Sequence, residues 1–291
     1  MKFTGIMPAL VTPLNADETI NVASLEKLMS DLLAKGADGF YVGGATGEGI
    51  ALKTENREVL AEAAVKAAGD KPCIVQIAST DYSDAIYLAK QAERVGAAAI
   101  SATPPLFFGY DADDIYNYYK GLANAVHIPL MIYYNPAAGF NMNADFAARA
   151  FEVDNITAIK WTSSNYYEMM RLKDLTQGEM NIINGPDEML LMGLSAGADG
   201  GIGTTYNLII DKIRAIYDNF RAGDIAKARE AQYAANRVIS VLIGTKIIPA
   251  VKFILEDMGY EVGNATFPMK RYTDEQKAEI IKAVKAAGLV Y

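Results

Sequence analysis

The chain has 291 residues, 51% of them hydrophobic, which is enough apolar material for one large or two smaller packed domains and excludes wholesale disorder. Its 35 acidic residues outweigh 27 basic ones, for a net charge of -8, which argues against a nucleic-acid partner. The short, interrupted apolar runs argue against a membrane span or a signal peptide, and a single cysteine and a single histidine argue against an internal disulfide or a histidine-rich metal site.

Short apolar runs alternate with amphipathic stretches along the chain. GIMPALVTP (5–13) reads as a first strand, and VASLEKLMSDLLAKG follows as a helix with Leu25, Leu28, Met29, Leu32 and Leu33 on one face, ending at Gly36. GADGFYVGG (36–44) is the second strand, and TENREVLAEAAVKAAG the second helix, opening with a Thr-x-x-Arg cap. CIVQIAS (73–79) begins with Cys73, read as a buried structural thiol, and SDAIYLAKQAERVG closes at Gly96. AAAISATPP (97–105), the helix ADDIYNYYKGLANAV, LMIYYNP (130–136) and the helix NADFAARAF come next. His127, just before the fifth strand, is expected at the end away from any site, making a structural hydrogen bond. ITAIKWTS (156–163), MNIINGP (180–186) and ADGGIGTTY (198–206) complete eight strand-like runs, each of the kind buried on both faces. Beyond about residue 223 the pattern is only helical. The expectation is an α/β fold, a (β/α)8 TIM barrel over residues 1–222 with additional C-terminal helices over 223–291. A doubly wound sheet would want a glycine-rich turn after the first strand, and VTPLNADETIN has none.

In such a barrel the chemistry lies at the C-terminal ends of the strands. Lys160 sits inside the sixth apolar run, and burying an unpaired ammonium costs several kcal/mol. Alternation places Ile156, Ala158, Lys160 and Thr162 on one side, with Ile159 and Trp161 toward the helices, so Lys160 points into the barrel. The same alternation directs Tyr133, rather than Tyr134, inward beside it. Lys160 is either half of an internal ion pair or a Schiff-base lysine, since desolvation favours a neutral amine able to attack a ketone. Tyr133 is either a core aromatic or a proton shuttle for that amine. GGATGEG (43–49) is a tight turn or a backbone nest for a carboxylate. GADGGIGTT resembles a phosphate cradle, but no Lys or Arg lies within it.

These segments together, MPALVTP, GGATGE, YYNPAAG, AIKWTS and GADGGIGTTYN, resemble the pyruvate-dependent class I aldolases, the family that includes N-acetylneuraminate lyase and dihydrodipicolinate synthase. The resemblance covers nearly the whole chain. It implies a lyase working through an imine of pyruvate on Lys160, with Tyr133 as proton-transfer residue, and a homotetramer; imine chemistry needs no metal or cofactor, and the single cysteine fits a reducing cytoplasm. NGPDE followed by GADGGIGTTYN looks like the N-acetylneuraminate lyase branch, in which Asp187, Glu188 and Thr204, with Gly185 and Thr162 alongside, would bind the hydroxyls of a 2-keto sugar acid. Ala45 and Thr46 would hold the carboxylate. The synthase branch carries an arginine soon after the strand-five proline, where this chain has PAAGF. Two positions depart from the family pattern. Ala45 replaces a hydroxyl residue, and Leu106 and Phe107 stand where a tyrosine would reach a neighbouring subunit, leaving Tyr110 as a substitute. The alternatives are an aldolase for another 2-keto-3-deoxy sugar acid, less readily a dihydrodipicolinate synthase, or a keto-acid sensor with decayed catalysis.

Overall fold

The computed structural model describes residues 2–291. Eight strands form one sheet: β1 (Gly5–Pro8), β2 (Phe40–Val42), β3 (Cys73–Gln76), β4 (Ala99–Ala102), β5 (Leu130–Tyr134), β6 (Ile156–Trp161), β7 (Asn181–Asn184) and β8 (Gly200–Gly203). Their order is β1-β8-β7-β6-β5-β4-β3-β2, and the paired neighbours run parallel. A parallel bridge between Ala9 and Tyr41 closes the ring, with the Leu10 N–H donating to the Tyr41 carbonyl at 2.9 Å. The first and last parts of the barrel are also clasped at its base. The Phe3 N–H donates to Asn181 Oδ1 at 2.8 Å, and Asn181 Nδ2 donates back to the Phe3 carbonyl at 2.9 Å.

The outer ring consists of α1 (Val22–Ala34), α2 (Thr54–Ala68), α3 (Tyr82–Arg94), α4 (Ala112–Asn124), α5 (Ala144–Phe151), α6 (Tyr166–Leu175), α7 (Leu190–Ser195) and α8 (Tyr206–Arg221). Side chains cap several of these helices. Asn21, Asp81, Asp111 and Asn143 each accept backbone N–H groups of the first turn, a contact worth about 1 kcal/mol each. The Thr-x-x-Arg cap expected on α2 does not form. Lys53 occupies the cap position without a side-chain bond, and Arg57 is buried and donates to the carbonyls of Ala78 (2.9 Å) and Gln76 (3.0 Å). A helix start exposes N–H donors and needs acceptors, which a guanidinium lacks, so the Arg57 donors go instead to carbonyls at and just beyond the end of β3.

Alternation along the strands separates two apolar layers. Met7, Tyr41, Ile74, Met131, Tyr133, Ala158, Ile183 and Ile202 fill the barrel interior. Trp161 and Tyr134 lie in the layer between strands and helices, with ring centroids 4.7 Å apart. Trp161 is fully buried, so Trp161→Ala would cost about 3–5 kcal/mol. Cys73 is buried in this layer too, and burial pushes its thiol up to about 12, which fits a structural role. His127 is exposed before the start of β5, away from the site. Its backbone N–H, not its ring, makes the structural bond, to Glu93 Oε1 at 2.6 Å.

The division at 222/223 falls in the turn between α8 and the first added helix. α9 (Ile225–Ile243), α10 (Ile247–Asp257) and α11 (Asp274–Ala286) follow. Val238, Ile239, Leu242, Val251 and Ile254 join the same apolar layer as the barrel helices. Among the described residues no single helix is long and apolar enough to cross a membrane.

Candidate active site

Lys160 is only 5% exposed and pairs in register with Tyr133 on β5 and Ile183 on β7. Its Nζ lies 4.2 Å from the centroid of the Tyr133 ring and 4.7 Å from that of Tyr41. No carboxylate is within ion-pair distance of it among the described residues, so the internal ion pair considered from the sequence is absent. The fully buried lysine–carboxylate pair in this chain belongs to Lys252 and Glu48 instead, at 2.8 Å. Aromatic faces are worth about 0.5–2 kcal/mol to a cation, less than the cost of burying one unpaired. Lys160 is therefore held at an energetic cost that the surrounding structure supports.

The two rings differ in freedom. The Tyr41 hydroxyl bonds Ser101 Oγ at 3.0 Å, and Ser101 Oγ donates to the Met131 carbonyl at 2.8 Å. Burial, reinforced by the neighbouring Tyr133, raises the Tyr41 phenol well above its ordinary value, so it stays protonated. The Tyr133 ring stands edge-on to Tyr41 at 6.0 Å, and its hydroxyl has no hydrogen-bond partner among the described residues. Tyr134 faces the helices and bonds Asn141 Oδ1 at 2.9 Å. The inward tyrosine is Tyr133, as strand alternation predicts.

The GGATGEG segment forms a concave loop above these rings. The Ala45 and Thr46 N–H groups donate to nothing among the described residues, and Ala45 is exposed, so both are available to an anion. Gly44 has no room for a side chain, because a Cβ would fall 2.5 Å from Tyr41 Cε1. Thr12 Oγ1 holds the loop from below by donating to the Gly47 carbonyl at 2.6 Å. Glu48 closes it in the left-handed conformation (φ 61°) and turns its carboxylate to α10. There Glu48 accepts from Lys252 Nζ at 2.8 Å and from the Thr266 N–H at 2.5 Å. Burial lowers the Lys252 ammonium while Glu48 opposes the shift. Losing one member of such a pair costs about 3–5 kcal/mol.

Thr162, Gly185, Asp187, Glu188 and Thr204 line one cleft of about 350 Å³ beside this loop. Thr204 joins the two regions, its Oγ1 lying 2.7 Å from Thr46 Oγ1. Thr162 Oγ1 has no partner among the described residues and occupies the space a Gly185 side chain would need, 2.0 Å from its ideal Cβ. Asp187 is buried, and its Oδ2 accepts from Thr205 N–H (2.7 Å) and Thr205 Oγ1 (2.6 Å). Burial pushes its carboxyl up to about 6 against those two bonds. Its Oδ1 lies 2.1 Å from where a Gly203 Cβ would stand, so glycine there makes room for it. Glu188 is exposed at the rim. Ile239, Ile243 and Ile247 from the C-terminal helices face these polar groups across the cleft.

All nine residues expected from the sequence thus gather at one end of the barrel. Four further contributors went unread: Tyr41, Thr205, the Glu48–Lys252 pair and the isoleucine wall. Tyr41, the middle residue of FYV just before a glycine loop, has no polar neighbour in its strand to mark it out. The others depend on contacts between distant segments. Among the described residues, no three His, Cys, Asp or Glu side chains converge on a metal position.

Comparison with known proteins agrees over the full length. The Dihydrodipicolinate synthetase family model matches residues 2–287. The chain is 34% identical to the N-acetylneuraminate lyase of Rhizobium meliloti, covering 98% of this chain and 95% of that one. It is 33% identical to the N-acetylneuraminate lyase of Clostridium perfringens, covering 94% and 96%. Among solved structures, Proteus mirabilis N-acetylneuraminate lyase superposes with a TM-score of 0.94 at 29% identity, each chain covered completely. A dihydrodipicolinate synthase of Bacillus anthracis superposes with a TM-score of 0.93 at 26% identity, covering 98% and 99%. With the family model matching nearly its whole length and a relative 34% identical over 98% of it, the chain belongs to the dihydrodipicolinate synthetase family.

Proposed function

We propose that the chain is a Schiff-base lyase that cleaves N-acetylneuraminate reversibly to pyruvate and N-acetylmannosamine. The observation that carries this reading is Lys160, buried without a carboxylate partner and set against the unbonded hydroxyl-bearing ring of Tyr133. The substrate carboxylate docks on the Ala45 and Thr46 N–H groups and the Thr46 hydroxyl. Lys160 Nζ then attacks the C2 ketone of the open-chain sugar acid, water leaves, and a protonated imine forms. Tyr133 gives its phenolic proton to that leaving water, and the phenolate then takes the proton of the C4 hydroxyl, directly or through the bound carboxylate. The C3–C4 bond breaks, its electron pair moves into the imine to give an enamine, and the aldehyde departs. Tyr133 returns that proton to C3, and hydrolysis of the resulting protonated imine releases pyruvate, restores the Lys160 amine and gives its spare proton back to Tyr133. Because the imine is itself the electron sink, this scheme needs no cofactor. Asp187, Glu188, Thr162 and Thr204 bind the hydroxylated tail, with the Gly185 backbone beside them.

The N-acetylneuraminate lyases among the relatives and the absence of an arginine in PAAGF support a sugar acid over a dicarboxylate precursor. The family resemblance supports a homotetramer, and the single cysteine supports a reducing, cytoplasmic setting. The exposed aromatics Phe107, Phe108 and Tyr110 after β4 agree with an assembly that covers them. The test is incubation with pyruvate and borohydride, followed by mass spectrometry and a lyase assay on sialic acid and on shorter, unacetylated keto acids. One irreversible label on Lys160 with sialic acid turnover supports the reading. Label without turnover on any sugar acid would favour the keto-acid sensor.

A further inference from the structure

A second cavity, of about 410 Å³, lies between α10, α11 and the loop joining them, and shares no lining residue with the substrate cleft. Lys252, Lys270, Arg271 and Lys277 line it together with Glu256 and Asp257, an excess of cations in a chain of net charge -8. The two carboxylates are already engaged. Glu256 Oε1 accepts the Gly263 N–H at 2.6 Å, and Asp257 Oδ2 holds Lys285 at 2.9 Å and the Tyr291 hydroxyl. Lys270 and Arg271 have no carboxylate partner among the described residues. Lys270 rests over the Tyr272 ring at 4.3 Å, and Arg271 gives one N–H to the Ala265 carbonyl, which leaves four donors unspent. Lys252 is 1% exposed and gives two of its three N–H donors to Glu48 Oε1 and the Asn264 carbonyl, at 2.8 and 3.0 Å. Its third finds no acceptor among the described residues, although a buried ammonium ordinarily satisfies all three.

We propose that this cavity binds an organic phosphate of roughly hexose size, and that its occupancy is felt at the carboxylate loop through Lys252 and Glu48. The phosphate meets the fork of Arg271 and the ammonium of Lys270, the pairing that a planar guanidinium and a point charge favour. A free phosphate ion would leave most of the volume empty, whereas a cavity of this size is that of a small-molecule site. Glu256 and Asp257 each keep a second carboxylate oxygen for hydroxyl groups of the ligand. A dianion arriving beside Lys252 competes with Glu48 for the same ammonium. Glu48 is the residue whose left-handed conformation closes the GGATGE loop, so loosening it weakens the hold on the substrate carboxylate. The ligand therefore raises KM for the keto acid and leaves kcat unchanged. By linkage, bound substrate weakens the ligand by the same factor.

Calorimetry with the full chain tests the site, using glucose 6-phosphate and inorganic phosphate as probes. The expected result is one glucose 6-phosphate per chain, with inorganic phosphate weaker. The exposed-loop double variant Lys270→Ala/Arg271→Ala should bind roughly tenfold or more weakly, while its basal kcat and KM stay those of the native chain. Saturating glucose 6-phosphate should raise KM roughly fivefold or more in the native chain, with kcat constant. No binding at millimolar glucose 6-phosphate, or binding that survives the double variant, would overturn the site. Equal affinity for inorganic phosphate would overturn the ester, and binding without a KM change would overturn the coupling. Only the KM measurement rests on the aldolase reading, since calorimetry reports binding whatever the enzyme's substrate.

Discussion

Asp187→Asn isolates what it costs the fold to hold an ionised carboxylate under the barrel mouth. The amide oxygen can still accept from the Thr205 N–H and hydroxyl, so the two bonds at 2.7 and 2.6 Å persist while the titration disappears. In the native chain burial raises this carboxyl from 3.8 to about 6. The unfolded chain releases the proton near 3.8, whereas the folded chain keeps it until about 6. Between those values the folded state binds more protons, so stability falls as pH rises through this window and levels off above it. The difference corresponds to about 3 kcal/mol, at ~1.4 kcal/mol for each tenfold change in acidity. Urea unfolding of both proteins from about pH 4 to about pH 7 measures it, because every group they share cancels in the comparison. The variant should gain about 3 kcal/mol on the native chain across that range. A stability difference that stays constant with pH would refute the burial of this carboxylate as the source of the cost.

Lys160→Ala should abolish the pyruvate–borohydride label and lower turnover by orders of magnitude, and a label on Lys246 or Lys252 would refute the assignment. Lys252 is committed to Glu48 at 2.8 Å, which is why none is expected there. Tyr133→Phe should still form the imine but slow bond cleavage by roughly 10²–10⁴-fold, read by single-turnover kinetics; greater damage from Tyr134→Phe would refute the facing of β5. Ala45→Ser should raise turnover on sialic acid by about fivefold, on the order of 1 kcal/mol for one hydrogen bond to the Tyr133 phenol. A fall on sialic acid, with another keto sugar acid unaffected, would transfer the reading to that aldolase.

What the sequence discloses about this site depends on contrast within each segment. In ITAIKWTS a charged residue interrupts an apolar run, so Lys160 stands out and alternation then orients it. LMIYYNP offers two tyrosines, and the same alternation separates Tyr133 from Tyr134. In FYV all three residues are buried, so the alternation has no polar position to reveal it and Tyr41 passes for core. The Glu48–Lys252 pair lies 204 residues apart in the chain, and no local pattern links its halves. α6, α7 and α8 are weakly marked for local reasons. α6 buries only Met169 and Leu172, α7 is six residues long, and α8 is broken at Ile209. The cap assigned to Thr54 failed because the helix starts one residue early for it, with Lys53 at the cap position, and Arg57 has no acceptor to offer a helix start.

The clasp between Phe3 and Asn181 joins residues 178 positions apart, and β1 pairs with β8 later still. Such closure is non-local and comes late in folding. A chain emerging from the ribosome therefore carries Lys160 for some time before β8 has been made. Throughout that interval the barrel is open along one side, and water reaches the amine that closure will bury. The burial that leaves Lys160 only 5% exposed is complete only when the ring closes, so the order of strands alone sets the moment at which this amine leaves water.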